Sequence, residues 1–288
     1  MSFKKDKQIL HVLKRQFKNP EIVNIDGRKF EIIDLIPPKL KTQVPLVLVP
    51  GWSANAKVLK KNIIFLASLG RRIVVISIPH GINVLFSKNY PEAEFRKAVA
   101  LRYLIKHKGF LKVDAISHSE GAIFLTIEVT ENPDKFRNLV FVSPAGLIGQ
   151  DSLGRLIKDF SLHLGSQTLK GLLYQQHRLC KTIRSLYEAI KALINSPQRA
   201  YQELRAIVDY PINDLIENLI KQGHGVSIIH GYNDKVFPLE RLKKTIDINI
   251  FDKFIEVKGC HNEFYLDHKY FTRLIDEALD FMEVKHSE

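Results

Sequence analysis

The pentapeptide Ser117-His118-Ser119-Glu120-Gly121 sets a serine between two small residues. It directly follows the β-like run Val113-Asp114-Ala115-Ile116 and opens a stretch of helical character. A serine at a sharp strand-to-helix turn has its hydroxyl pushed out above the carboxyl edge of a sheet, where a base can activate it as a nucleophile. The turn is tight, so the residues two before and two after it should be small, and Ser117 and Gly121 are. The same turn aims the amide of Glu120, at the start of the following helix, toward an oxyanion. The plainer alternative makes Ser117 or Ser119 a helix N-cap. The strand before and the helix after weigh against it.

Such a serine is activated by a base that an acid orients, and in folds that carry the nucleophile on a strand-to-helix turn of this kind the two follow it in the order acid, then base. After the run Val226–His230 stands Gly231-Tyr232-Asn233-Asp234, and Asp234 falls in a loop before a helix starting at Pro238. After Phe254–Val257 stands Gly259-Cys260-His261, again a loop past a strand. Taken singly, Asp234 reads as an Asx-turn residue and His261 as one exposed histidine among eleven. Taken with Ser119, in order and each past its own strand, they form a candidate triad at one sheet edge. The competitors His230, His268, Asp114 and Asp267 are placed worse, within a strand, within a helix or before the turn.

The strand ends that would position these residues belong to a regular alternation of buried strands and helices, which implies right-handed crossovers and a parallel sheet. Strands are expected at Ile22–Ile25 and Phe30–Ile36, joined by Asp26-Gly27 as a hairpin, then at Leu46–Val49, Ile73–Ile78, Val113–Ser117 and Leu139–Val142. Helices are expected over Lys57–Leu69, Pro91–His107 and Gly121–Glu131. Between Leu147 and Lys221 no strand is evident, and Gly149, Gly154, Gly165, Gly171, Pro197 and Pro211 punctuate amphipathic helical pieces. Two apolar stripes are expected there, Leu153, Leu156, Ile157, Phe160 and Leu164, then Leu179, Ile183, Leu186, Tyr187, Ile190 and Leu193. The alternation resumes with the strands of Asp234 and His261, a helix over Pro238–Ile246, and a final helix over Phe264–Val284. The division is therefore an α/β core over 1–146 and 222–288, with an all-helical cap inserted over 147–221. A helical excursion that merely packs on the core is the alternative.

These motifs together resemble the α/β-hydrolase superfamily. Val49-Pro50-Gly51-Trp52 is similar to its first oxyanion loop, Pro79-His80-Gly81 to its strand-end His-Gly turn, and Ser117–Gly121 to its nucleophile elbow. Gly231–Pro238 is similar to its acid loop and Gly259-Cys260-His261 to its histidine loop. The likeness spans roughly Val44 to Met282, with Ser117 standing where glycine is usual. The resemblance implies a mostly parallel sheet flanked by helices, and an oxyanion hole made by the amides of Trp52 and Glu120. It implies a serine hydrolase acting on a small molecule, by default a carboxylic ester with an apolar group, and no cofactor or metal. Thioesterase, lactonase, C–C bond hydrolase and acyltransferase chemistry use the same apparatus. A non-catalytic ligand-binding module of the same fold is a further alternative.

The chain has 288 residues, enough for one large α/β domain. Its net charge of +12 favours anionic partners without naming one. No nucleic-acid-binding motif accompanies the charge, so no nucleic-acid partner is expected. The basic residues cluster at the N-terminus, where Ile9, Leu10, Leu13 and Phe17 recur at helical spacing. Such a helix is expected to dock on the domain, with contact to an anionic membrane surface as the alternative. Without a signal-like or membrane-spanning run, a cytoplasmic protein with reduced Cys180 and Cys260 is expected. Cys260 is expected to pack rather than react.

Overall fold

The computed structural model describes residues 3–25, 27–78, 87–173 and 193–286, together with 183, 187, 190 and 191. Strand β1 (Glu21–Ile25) pairs antiparallel with β2 (Arg28–Leu35), Ile25 facing Arg28, as a two-residue hairpin requires. Asp26, expected in that turn, lies outside the described residues, as do Pro79, His80 and Gly81. The remaining strands are β3 (Leu46–Val49), β4 (Ile73–Ser77), β5 (Val113–His118), β6 (Phe136–Val142), β7 (Gly225–Gly231) and β8 (Lys253–Val257). All eight join one sheet in the order β1-β2-β4-β3-β5-β6-β7-β8. The pairings from β4 to β8 are parallel, and β2 meets β4 antiparallel. The strand order reverses around β3, because β4 lies on one side of it and β5 on the other. Open α/β sheets hold their sites in the crevice at such a reversal.

Helices cover both faces, so central strands are apolar on both sides rather than alternating. Leu46 and Leu48 join a core with α1 (Phe3–Lys18), α2 (Lys60–Ser68) and a long C-terminal helix. Val47 and Val49 join the other, with α3 (Glu92–His107) and α4 (Gly121–Glu131). On α1, Leu13 is fully buried and Phe17 nearly so, while Ile9 and Leu10 are half-buried against the same core. Gln16 adds a two-way bond, donating to the Ile36 carbonyl at 3.1 Å and accepting from its amide at 3.0 Å. The apolar stripe of α1 is thus already occupied by the domain.

Between β6 and β7 lie α5 (Leu153–Leu173), α6 (Pro197–Asp209) and α7 (Asn213–Lys221), and no strand among the described residues. Two expectations about this segment need correction. First, α5 runs unbroken through Gly154, Gly165 and Gly171, because a glycine inside a helix weakens it without ending it. Its buried face is Leu156, Phe160, His163, Leu164 and Gln167, whereas Ile157 is exposed. Second, Ile183, Tyr187, Ile190 and Leu193 are exposed rather than packed, and Leu179 and Leu186 lie outside the described residues. Periodicity identifies an apolar face but not what covers it.

After β7 come α8 (Leu239–Thr245) and, beyond β8, a final helix that is two. The short α9 (Glu263–Leu266) ends at Asp267, whose φ of −109° and ψ of 64° are not helical. The Asp267 carboxylate then accepts from the Tyr270 amide and caps α10 (His268–Lys285). No helix among the described residues is long and apolar enough to cross a membrane.

Docking of α1 is testable. Leu13→Ala should destabilise the protein by about 2–5 kcal/mol, the cost of a core cavity. Urea unfolding of the two proteins measures this, and an unchanged midpoint would contradict the docking.

Candidate active site

The turn from β5 into α4 places Ser119 at φ 54°, in the left-handed region that residues with a Cβ rarely adopt. Neighbouring backbone holds it there. Its amide donates to the Val142 carbonyl at 3.1 Å, and its own carbonyl accepts from Ala122 and Ala145 at 3.0 Å. The reason for a small residue at 121 differs from the sequence-based one. A Cβ on Gly121 would lie 2.6 Å from the Pro50 carbonyl oxygen and 3.0 Å from that of Val49. The end of β3, more than Ser117, therefore excludes a side chain. A Cβ on Gly51 would lie 2.9 Å from the Ser119 Cβ, so the loop after β3 and the turn are in direct contact.

The acid and histidine loops meet through their backbones. A Cβ on Gly231 would stand 2.5 Å from the Gly259 carbonyl oxygen, and the Asn233 amide donates to that oxygen at 3.0 Å. This crossing brings three side chains from distant positions together. The Asp234 Oδ2 accepts from His261 Nδ1 at 2.8 Å. That bond leaves Nε2 of a neutral ring to accept from the Ser119 hydroxyl, 2.9 Å away. The second carboxylate oxygen of Asp234 accepts from the amides of Val236 and Phe237, at 2.9 and 3.0 Å. Burial works to raise the Asp234 pKa. His261, His230 and the Phe237 amide outweigh it and hold the value at about 2. The carboxylate is ionised and has a partner on each oxygen.

His118, inside the turn motif, has a part that its sequence did not suggest. Its ring stacks on Phe264 and lies 5.1 Å from the His261 ring. Its Nε2 donates to the His261 carbonyl at 3.0 Å, and its Nδ1 accepts from the Tyr265 hydroxyl at 2.7 Å. That pattern requires one neutral tautomer. Burial, then the neighbouring His261, push its pKa down to about 3.

From α5, Phe160 meets the Trp52 ring edge-on at 6.2 Å and His163 meets the His261 ring at 6.5 Å. Gln167 donates to Cys260 and accepts from Asn262. Ser119 itself is buried, at 7% exposure. The Cys260 thiol is pushed up to about 11 by burial and by Glu263, so it stays protonated, as a packing cysteine does. Cys180 lies outside the described residues. Among the described residues, neither the Trp52 nor the Glu120 amide donates to a protein acceptor. The competing residues have other work. Asp114 binds Arg137, His230 donates to the Phe237 carbonyl, Asp267 caps a helix, and His268 packs on Phe65.

The His118 site sets a pH dependence. In the unfolded chain its ring protonates near 6.5; in the fold it does so only near 3. Its depressed value contributes stability that is complete above pH 6.5 and is lost as the pH falls, by about 1.4 kcal/mol per unit. Between pH 7 and pH 5 the wild type should lose about 2 kcal/mol more unfolding free energy than His118→Gln. Equal losses in urea titrations would contradict this assignment.

No family model matches the sequence, and no curated protein does. Solved structures do match. One is a structure from work on carboxylesterases of the ammonia-oxidizing thaumarchaeon Nitrososphaera gargenis, at 13% identity and a TM-score of 0.65, covering 92% of this chain and 100% of that one. A bromoperoxidase from Bacillus anthracis is 18% identical with a TM-score of 0.65, over 91% of this chain and 100% of that one. A meta-cleavage product hydrolase from Pseudomonas fluorescens is 15% identical with a TM-score of 0.62, over 90% of this chain and 97% of that one. Identities this low speak for architecture alone, and the architecture of this chain is the α/β-hydrolase fold.

Proposed function

We propose that the protein is a serine hydrolase that cleaves a carboxylic ester, or a related acyl bond, of a small substrate through an acyl-enzyme. The observation that carries this reading is the continuous hydrogen-bonded path Ser119–His261–Asp234, at 2.9 and 2.8 Å. In this reading His261 takes the Ser119 proton as the hydroxyl attacks the carbonyl carbon. Asp234 fixes the ring tautomer and stabilises the imidazolium. The amides of Trp52 and Glu120 receive the oxyanion, each worth about 2.7–4 kcal/mol in the transition state. The imidazolium returns its proton to the leaving alcohol, and a water activated by the same ring then cleaves the acyl-enzyme. No metal or organic cofactor enters these steps.

Helices α5 to α7 serve as a cap in this reading. Phe160 and Phe237 favour an apolar group beside the serine, since Phe160 stands on Trp52 and Phe237 on the His261 ring.

The test is hydrolysis of p-nitrophenyl esters of graded chain length. Ser119→Ala should lower kcat on the order of a millionfold, and Asp234→Asn by about 10⁴-fold. A parallel panel of thioesters and lactones ranks the related acyl bonds. Tight ligand binding by a folded protein that turns over no substrate, with Ser119→Ala no different, would contradict the proposal in favour of a binding module.

A further inference from the structure

The side chains of Trp52 and Glu120, the two residues assigned above as oxyanion donors, converge on one buried group of charges. Lys97 of α3 lies at its centre. Its ammonium contacts Glu120, stands 2.8 Å from Glu203 of α6 and 3.5 Å from Glu94. The Trp52 indole Nε1 donates to the other oxygen of Glu203 at 3.0 Å. Arg199, one turn before Glu203, approaches that residue at 2.7 Å. Glu94, Lys97, Glu120 and Glu203 are each at most 5% exposed.

The charges balance. Lys97 and Arg199 face Glu120 and Glu203, which leaves Glu94 as the extra acid. Burial, then Glu120, push the Glu94 pKa well up. Burial would raise Glu203 too, but Lys97 and Arg199 hold it below its ordinary value. A buried ion group is a weak source of stability, since apolar side chains would hold α3 to α6 as well. What apolar residues cannot supply is a fixed acceptor for an indole N–H.

A cavity of about 420 Å³ adjoins the group, lined among others by Gly51, Lys97, Glu120, Arg199 and Glu203. Close packing therefore does not by itself immobilise the loop after β3. On its other side Gly51 abuts Ser119 with no room for a Cβ. The loop is clamped between the serine turn and α6.

We propose that Glu203 and Lys97 are positioning residues for the oxyanion site. Glu203 anchors the Trp52 indole and so places the amide of that residue. Lys97 ties Glu203 to Glu120, so that docking of α6 sets both donors at once. This inference rests on the acyl-transfer reading of the site.

The chain contains one tryptophan, so its fluorescence reports the Glu203 contact directly. The experiment compares wild type, Glu203→Leu, Glu203→Gln, Trp52→Phe and the double variant W52F/E203L. It measures kcat and KM on a p-nitrophenyl ester, affinity for a trifluoromethyl ketone that forms a tetrahedral adduct, tryptophan emission and thermal midpoint. Glu203→Leu should shift the emission and lower kcat by about ten- to hundredfold, the range a misplaced donor gives. KM should change by less than about twofold, because the loss falls on the transition state. Affinity for the ketone should fall with kcat. Glu203→Gln, which keeps an oxygen for the indole and stands in if the leucine variant does not fold, should retain more activity than W52F. The double variant should be no worse than the poorer single one, as expected for two residues acting through one contact. An emission shift in either Glu203 variant with kcat and ketone affinity unchanged would overturn the inference alone. Additive losses in the double variant would do the same. A wild type that neither hydrolyses the ester nor binds the ketone would overturn the acyl-transfer reading and this inference with it.

Discussion

Ser119 sits where a buried strand must become a buried helix within two residues, Ser119 and Glu120, and the rest of the site is arranged around that turn. The left-handed backbone there is strained for serine, so it persists only because its surroundings over-determine it. The Val142 carbonyl and the amides of Ala122 and Ala145 bond the turn on both sides. The carbonyls at the end of β3 close in on Gly121, and Gly51 presses on the serine itself. Replacing either glycine would push the loop after β3 away from the turn. That loop carries Trp52, so the same close contact that strains the serine also holds a candidate oxyanion donor beside it.

Sheet topology brings the other groups to this point. The strand order reverses at β3, opening a crevice above the carboxyl ends of β3 and β5. The strands β7 and β8 are adjacent and parallel, so their following loops cross at Gly231 and Gly259 and hand Asp234 to His261. A second layer then fixes the first. Tyr265 and His118 hold the histidine loop through its backbone, while Glu203 and Lys97 reach the loop after β3 from the opposite side.

The strands, most helices and the three residues of the Ser119 path were legible because each depends on local pattern. Apolar runs of four to six residues, a small-x-Ser-x-Gly turn and polar residues just past strand ends are visible without knowing what packs on what. What was not legible depends on contacts made across the chain. Glu203 lies 83 positions after Glu120, and nothing in the amphipathic pattern of α6 marks it as a partner for Trp52. His163 and Gln167 broke the apolar stripe expected on α5, and they lie on its buried face because His261, Cys260 and Asn262 stand opposite. His118 had no role that the motif assigns, since its bonds run to His261 and Tyr265 far along the chain. Its neighbours Glu120 and Gly121 take their meaning from α3 and β3, not from each other. Asp267 looked like one more residue in a long helix, yet its carboxylate ends one helix and caps the next.

All of this converges on whether the Ser119 hydroxyl is chemically activated. The direct measurement is the intact mass of the folded protein after incubation with a fluorophosphonate, followed by peptide mapping. A single adduct on Ser119, abolished in His261→Ala although the serine is still present, is the predicted result. An unmodified wild type under conditions where its fold is intact, or an adduct that persists in His261→Ala at the same rate, would contradict it.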